Sequence, residues 1–316
     1  MRHPPDVSIV IPCYRSEPSL PLLVQRIHQT MSAAELSFEL VFVEDGSPDG
    51  TWKVIQGLAR QYPFIRGFRL MRNYGQHNAL LCGIRAAFGG IIVTLDDDLQ
   101  NPPEEIPRLL AKLNEGYDVV YGTPQKEAHG LLRDVASQLT KLVLQKSMGA
   151  ATARNISAYR VFRTRLRDAF AEYRGSFVSI DVLLTWGGAR FTAIPVKNDP
   201  RTIGVSNYTL YKLISHAVNM MTGFGTAPLQ LASLLGFLFT LVGGATFLYV
   251  IGNYLLHGSP VQGFPFLASA IAIFSGVQLF ALGIMGEYLA RIHARTMDQP
   301  SFAVDSSTDE ERPDAG

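Results

Sequence analysis

From Ala217 to Gly286 the chain carries no Asp, Glu, Lys or Arg. A charge-free run of about 70 residues is hard to reconcile with a water-exposed surface, where charged side chains concentrate, and membrane is the natural solvent for it. Two stretches inside it, Leu229 to Leu256 behind the helix breaker Pro228 and Phe264 to Gly286, are long enough to cross a bilayer with some tilt. The link His257 to Gly263 has no Lys or Arg, whereas Lys212 precedes the pair and Arg291 and Arg295 follow it. By the positive-inside rule both ends face the cytoplasm. Gly236, Gly243, Gly244 and Gly276 within the spans suit close helix packing. In residues 207–227, Leu210, Leu213, Ile214, Ala217, Val218 and Met221 recur at helical spacing opposite Lys212, Ser215, His216 and Asn219. Periodicity leaves a helix lying on a membrane and a core-packed helix equally open. Residues 291–316 form a cytoplasmic tail, and its acidic, Pro- and Gly-containing part from Asp305 to Gly316 is expected to be disordered.

Residues 1–206 have a different grain. Short β-branched runs at Val7 to Ile11, Phe38 to Val43, Phe64 to Leu70, Ile91 to Leu95 and Tyr117 to Tyr121 alternate with helical patterns, including Ser19 to Met31 and the Ala-rich Ala79 to Phe88. This alternation predicts a doubly wound α/β sheet. Further strands are expected at Ser157 to Phe162 and Phe191 to Val196, a helix with a positive side at Leu131 to Met148, and a polar loop before it at Thr123 to Gly130.

Such sheets bind ligands at the carboxyl ends of their strands, and acids collect there. The fourth strand runs into Asp96-Asp97-Asp98, and the second ends in Glu44-Asp45-Gly46-Ser47-Pro48-Asp49-Gly50. If extended geometry lasts, Asp96 and Asp98 converge on one side while Asp97 points away. Two such carboxylates suffice for Mg²⁺ or Mn²⁺, because phosphates and water complete the coordination of these hard cations. Gln100 adds a neutral oxygen. The plainer reading is acids gathered at the start of the next helix, where Asn101 caps, Pro102 and Pro103 fit the first turn, and Glu104 and Glu105 complement the dipole.

Other functions are set aside by what is absent from the sequence. A formal net charge of +1 leaves no nucleic-acid footprint. Cys13 and Cys82 are the only cysteines, too few for a disulfide framework or a thiolate zinc site. Met1 to Pro5 leads straight into a strand, so no cleaved signal peptide is expected. Neither G-x-G-x-x-G after the first strand nor G-x-x-x-x-G-K-[ST] occurs.

The segments beginning Val7-Ser-Ile-Val-Ile-Pro, Val43-Glu-Asp-Gly-Ser-Pro-Asp-Gly-Thr51, Arg72-Asn-Tyr-Gly-Gln-His77 and Leu95-Asp-Asp-Asp-Leu-Gln-Asn-Pro-Pro-Glu104 occur in order. With them the chain resembles family 2 glycosyltransferases of the GT-A fold. Among these it is similar to the polyprenyl-phosphate sugar transferases, over nearly the whole chain including the two membrane helices. The resemblance implies a GT-A mixed sheet with a two-helix transmembrane hairpin. It also implies transfer of a sugar from a nucleotide donor, UDP-linked by preference, to a polyprenyl (undecaprenyl) phosphate at the inner face of the plasma membrane. It places Asp45 at the donor's nucleoside, with Pro12 and Glu17 lining that pocket; on the residues themselves, Arg72 and Asn73 after the third strand suit a metal-bridged diphosphate. Asp96, Asp98 and Gln100 become the metal-side residues, and Arg201 and Ser206, in an R-x-x-G-x-S segment, face the transferred and acceptor phosphates.

The departures from the family pattern are equally specific. Arg15 and Ser16 replace the usual Asn-Glu before Glu17, and Asn207 stands where a Lys is common. Arg154 occupies the position, six residues before Arg160, where the family often has an Asp proposed as base. Arg154 and Arg160 would then attract the acceptor phosphate, with Asp181 as a substitute acid. A phosphate monoester has its second pKa near 6, so the acceptor needs little deprotonation. The expected reaction is a metal-assisted, inverting displacement in which Asp98, Arg201 and Asp181 do the catalytic work. A processive polysaccharide synthase would bring Q-x-x-R-W and more spans; the only tryptophans are Trp52 and Trp186. The rival from another class is a membrane-anchored nucleotide-binding scaffold with a retired site. A homo-oligomer is left open by the sequence.

Overall fold

The computed structural model describes residues 4–124, 155–175, 178–197, 199, 227–257, 264–297 and 299–310. It divides into two units, one of residues 1–215 with 298–316 and one of residues 216–297.

In the first unit, β1 (Val7–Cys13), α1 (Leu20–Ala33), β2 (Phe38–Glu44), α2 (Thr51–Gln61), β3 (Ile65–Leu70), α3 (Gln76–Ala86) and β4 (Ile91–Thr94) alternate as expected. They are followed by α4 (Ile106–Asn114), β5 (Val119–Pro124), β6 (Arg160–Arg163), α5 (Ile180–Gly187), β7 (Phe191–Val196) and β8 (Val304–Ser307). One eight-stranded sheet results, in the order β7-β5-β6-β4-β1-β2-β3-β8. Strand β1 pairs in parallel with β2 and β4, β2 with β3, and β5 with β7, while β6 runs against β4 and β5 and β8 against β3. The sheet is therefore mixed.

Its central strands are buried on both faces, which is why β1 and β2 read as continuous apolar runs. The strand period of two sorts their side chains into separate layers. Ile9, Ile11, Leu40 and Phe42 pack with Leu23 and Ile27 of α1 and Leu109 and Leu113 of α4. Val10, Val41 and Val43 pack on the other face with Leu80, Leu81 and Ile84 of α3 and Leu183 of α5. Each fully buried aliphatic side chain of this kind contributes about 1.5–3 kcal/mol. Helix α3 lies so close to the sheet that a Cβ on Gly83 would stand 2.4 Å from Val10 Cγ1.

Four expectations need correction. Extended geometry ends at Thr94, so Asp97 and Asp98 lie in a turn and Leu99 has φ +64°. Helix α3 starts at Gln76 rather than Ala79, putting Gln76 and His77 in its first turn. Thr123 and Pro124, expected in a loop, end strand β5. The tail is not disordered over Val304–Glu310. Strand β8 pairs with β3, Thr308 N donates to Gly67 O at 2.9 Å, and Arg66 Nη2 meets Asp309 Oδ2 at 2.7 Å. The helix expected at Leu131 to Met148, most of the Thr123 to Gly130 loop, Arg154 and the amphipathic stretch 207–226 lie outside the described residues.

The second unit consists of two long helices, α6 (Ala227–His257) and α7 (Phe264–Thr296). Pro228 sits in the first turn of α6, where its missing N–H costs nothing. Among the described residues, one helix is long and apolar enough to cross a membrane by length and composition, at Ala232–Asn253. Helix α7 continues ten residues past the expected end at Gly286, and Arg291 Nη2 pairs with Glu287 Oε1 one turn earlier at 2.7 Å. Of the four span glycines, Gly243 faces the ring of Phe274, whereas a Cβ added at Gly236, Gly244 or Gly276 would meet nothing within 4 Å. The close-packing expectation is thus met at Gly243 alone.

Candidate active site

Loops leave the carboxyl ends of β1, β2, β3 and β4 side by side, and their polar groups fasten them to one another. Arg15 N donates to Ser47 Oγ at 2.7 Å, Ser16 N to Thr51 Oγ1 at 2.9 Å, and Gly50 N to Glu17 Oε2 at 2.9 Å. The β1 and β2 loops are thereby locked together. Arg15 has φ +59°, a conformation Asn tolerates better than Arg. The Asn that the resemblance leads one to expect at this position would take this conformation with less strain.

Asp45 is buried and receives two backbone donors, Tyr74 N at 2.7 Å and Gly75 N at 2.8 Å. Burial pushes its pKa up, and those two N–H groups oppose the shift by favouring the anion. Gly46 makes this contact sterically feasible. Its φ is +62°, and a Cβ there would lie 2.4 Å from Asn73 N and 2.5 Å from Arg72 C. The Arg72–Gly75 segment consequently rests directly on the β2 loop. Arg72 is exposed, with its guanidinium 4.8 Å from the ring centroid of Tyr74. Pro12 is buried within β1 opposite Val43.

In the triple-acid turn the three carboxylates have distinct partners. Asp96 accepts from Gln76 Nε2 at 2.6 Å, and Asp98 Oδ1 from Gln100 N at 3.1 Å. Asp97 does not point away, as the strand period suggested. Its Oδ2 accepts from Ser16 Oγ and from Tyr14 N, tying the β4 turn to the β1 loop. Burial pushes Asp97 up, and Ser16 and the Tyr14 N–H counter it. The Gln100 carbonyl accepts from Asp199 N at 3.0 Å, which draws the chain after β7 to this turn. Asp199 pairs with Arg26, at 3.2 Å. Arg201 and Ser206 lie outside the described residues.

Arg160 and Asp181 are brought together. Arg160 is in register with Thr94 on one side and Tyr121 on the other. Its Nη1 lies 3.0 Å from Asp181 Oδ1, and Tyr121 OH donates to the same oxygen at 3.1 Å. All three are buried, and among the described residues Arg160 Nε and Nη1 have no hydrogen-bond acceptor of good geometry. Burial and the Asp181 charge hold the Tyr121 phenol well above its usual range. Ile180 N donates to His77 Nδ1 at 3.3 Å, so the start of α5 abuts the start of α3. Tyr121 had no marker in the sequence; Ser16 was marked only as a departure from the family pattern, and Gln76 lay inside a recognised motif with no role attached.

A divalent cation is a chemical fit here. Asp96 and Asp98 are half-buried, oxygen-only donors at a loop tip, and a pair of carboxylates is enough for a hard cation whose remaining positions are filled by phosphates and water; among the described residues no group of three or more His, Cys, Asp or Glu is arranged to hold a metal, at this turn or elsewhere.

Sequence comparison matches Glycosyl transferase family 2 over residues 8–174. The undecaprenyl-phosphate 4-deoxy-4-formamido-L-arabinose transferase of Klebsiella pneumoniae subsp. pneumoniae is 33% identical over 309 residues, covering 96% of this chain and 94% of that protein. Its counterpart in Proteus mirabilis is 34% identical over 301 residues, covering 94% and 92%. Among solved structures, mannosyl-3-phosphoglycerate synthase from Rubrobacter xylanophilus superposes with a TM-score of 0.52 at 19% identity, over 69% of this chain and 72% of its own. Glucosyl-3-phosphoglycerate synthase from Mycobacterium tuberculosis gives 0.51 at 16%, over 69% and 78%. The structural likenesses speak for the GT-A-like fold, and the sequence matches go further. A chain with this sheet, these acid-bearing loops and these relatives belongs to glycosyl transferase family 2 and is a glycosyltransferase.

Proposed function

We propose that this enzyme transfers a sugar from a UDP-linked donor to a polyprenyl phosphate, undecaprenyl phosphate in the first instance, with inversion at the anomeric carbon. The observation that carries the reading is the β1 loop bonded on one side to the loop after Asp45 and on the other to the Asp96-Asp97-Asp98 turn, in a chain whose undecaprenyl-phosphate relatives align over nine-tenths of its length. Asp45, the end of β1 at Pro12 and the loops bearing Glu17 and Arg72 receive the nucleoside. Asp96, Asp98 and Gln100 would hold Mg²⁺ or Mn²⁺, which when bound supplies Lewis-acid stabilisation to the departing diphosphate. The M. tuberculosis enzyme of similar fold was solved with Mn²⁺ and UDP-glucose, which favours this donor and ion class.

A phosphate oxygen of the acceptor attacks the anomeric carbon while the bond to the nucleoside diphosphate breaks. The acceptor is largely dianionic at neutral pH, so orientation outweighs deprotonation. Arg160, with unsatisfied donors, and the Arg201 and Ser206 segment orient phosphates in this reading. Asp181 Oδ1 is already engaged by Arg160 and Tyr121. Its part is therefore to position Arg160 rather than to take a proton. Helices α6 and α7 form the membrane hairpin, with Glu287, Arg291 and Arg295 emerging on the cytoplasmic side where the sugar is transferred.

The test is to screen UDP-sugars against undecaprenyl phosphate in detergent, with and without chelator, for wild type and Asp98→Ala. One donor is expected to give a lipid-linked sugar, lost on chelation and in the variant. Turnover indifferent to both would refute the metal assignment, and nucleotide binding without any lipid product would favour the scaffold reading.

A further inference from the structure

The C-terminal segment after α7 is attached to the strand that carries the donor loop. Strand β8 covers the outer edge of β3, pairing Phe68 with Ser307, Arg69 with Ser306 and Leu70 with Val304. The register shifts between Arg69 and Leu70, so Asp305 is the extra residue of a bulge. Its carboxylate comes within 3.9 Å of Arg69 Nη1, and Arg69 Nε lies 3.3 Å from Glu44 Oε2, beside Asp45. One residue past the strand, Met71 N donates to Ala303 O at 3.0 Å. That bond fixes the chain where it enters Arg72, Asn73, Tyr74 and Gly75.

Anchors at both ends of the segment are stronger than its exposed Asp305 contact. Thr308 is buried and exchanges two bonds with Gly67, its N to Gly67 O at 2.9 Å and Gly67 N to its Oγ1 at 2.8 Å. Arg66 grips Asp309 through Nε at 2.9 Å and Nη2 at 2.7 Å, while its Nη1 reaches Glu39 at 3.2 Å and Ala86 O at 2.7 Å. At the other end, Ser301 is buried and its Oγ donates to Gly175 O at 2.8 Å. Such a bidentate, partly desolvated arginine pair is among the stronger polar contacts a protein makes. Between these anchors Phe302 packs against the second hydrophobic layer, so the segment is held by apolar as well as polar contacts.

We infer that residues 301–310 are a positioning element of the donor pocket: by holding the end of β3, they keep the Arg72–Gly75 loop pressed on Gly46 with its amides on Asp45. The path is continuous. It runs from Ala303 O to Met71 N, through two residues of backbone, to the packing of Asn73 on Gly46 and the donors Tyr74 N and Gly75 N. Loosening the tail frees the loop and weakens nucleotide binding, without touching the acidic turn that handles the diphosphate. The inference rests on the proposed role of Asp45 at the nucleoside.

The experiment uses the full chain in detergent with Mn²⁺ and UDP, comparing wild type with Thr308→Val/Asp309→Asn and with Asp305→Asn. Hydrogen exchange followed by mass spectrometry reads the loop, and calorimetric titration with UDP reads the pocket. For the double variant, faster exchange of the peptide containing Tyr74 and Gly75 is expected, with UDP affinity lowered about five- to tenfold, which corresponds to about 1–1.4 kcal/mol. The single variant should show a smaller loss in the same direction. In turnover assays the KM for the donor rises while kcat stays within about twofold, the pattern for a lost ground-state contact. A purely structural tail would speed exchange in residues 301–310 alone and leave UDP affinity unchanged, overturning the inference. If wild type itself fails to bind UDP or any other nucleotide, the donor reading of Asp45 falls, and the inference with it.

Discussion

Gly46→Ala is the substitution whose cost can be worked out most fully. At φ +62° an Ala in the left-handed region costs about 1 kcal/mol. The added methyl would then meet backbone, at 2.4 Å from Asn73 N, 2.5 Å from Arg72 C and 2.9 Å from Arg72 Cα. No side chain can swing aside, so the loop itself must move, an overpacking penalty of about 1–3 kcal/mol. Movement also stretches the two amide bonds to Asp45 and leaves a buried carboxylate short of a donor, adding about 1 kcal/mol or more. The sum is about 3–5 kcal/mol, and at about 2–4 °C per kcal/mol for a unit of this size it lowers the midpoint by about 10 °C. Thermal unfolding followed through Trp52 and Trp186, both in the first unit, measures it. Gly75→Ala is the internal control: φ +95° with ψ +153° is a conformation essentially reserved for glycine, costing about 1–3 kcal/mol, but nothing lies within 4 Å of its Cβ, so backbone strain stands alone. Gly57→Ala, inside α2 with open space around it, should stabilise by about 0.5–1 kcal/mol. Equal losses for Gly46→Ala and Gly75→Ala would refute the claim that the loops are in direct backbone contact.

Three further outcomes follow from described contacts. Arg15→Asn relieves a positive φ while keeping the backbone bond to Ser47, and should raise stability by about 0.5–1 kcal/mol in denaturant titrations. Asp118 is buried, which alone would raise its pKa, but the N–H groups of Arg190 and Ala189 and the Arg165 guanidinium outweigh burial and depress it. A depressed carboxylate adds stability above its unfolded pKa that is lost as pH falls through the folded one, so Asp118→Asn should cost about 2 kcal/mol at neutral pH and progressively less in acid. Gln76→Ala removes the 2.6 Å donor to Asp96 and is expected to change the Mn²⁺ concentration for half-maximal transfer several-fold without changing the thermal midpoint; an unaltered metal dependence would sever Gln76 from the acidic turn.

Much of the catalytic sheet was legible because its cause is local. Strands β1 and β2 are apolar runs buried on both faces, and the acids that end β2 and follow β4 sit where a parallel sheet presents ligands. What escaped was set by tertiary contacts. Val304-Asp-Ser-Ser has no apolar alternation, and only pairing with a strand far back in the chain makes it β8; its flanking partners Arg66 and Asp309 stand 243 residues apart. Asp97 turned inward because the chain leaves extended geometry at Thr94 and passes through a positive φ at Leu99, which no pattern of polarity encodes. Helix α7 outruns the expected apolar span for a related reason: loss of apolarity at Glu287 marks a change of solvent, whereas the helix goes on, its turns bridged by Glu287 and Arg291. Pro12, Glu17 and Asp45 do gather at one end of the sheet, but their mutual fastening by Ser47, Thr51 and Gly50 is a three-dimensional fact.

Chain order gives the last strand a bearing on biosynthesis. A ribosome makes β3 early and reaches Val304 only after both long helices, so the flank of β3 that β8 covers stays bare through most of translation. Bare flanks of this kind recruit strands from neighbouring molecules, and long-range ladders form slowly. Arg66 and Arg69, pointing charge toward that flank, are placed to discourage such recruitment until the native partner arrives.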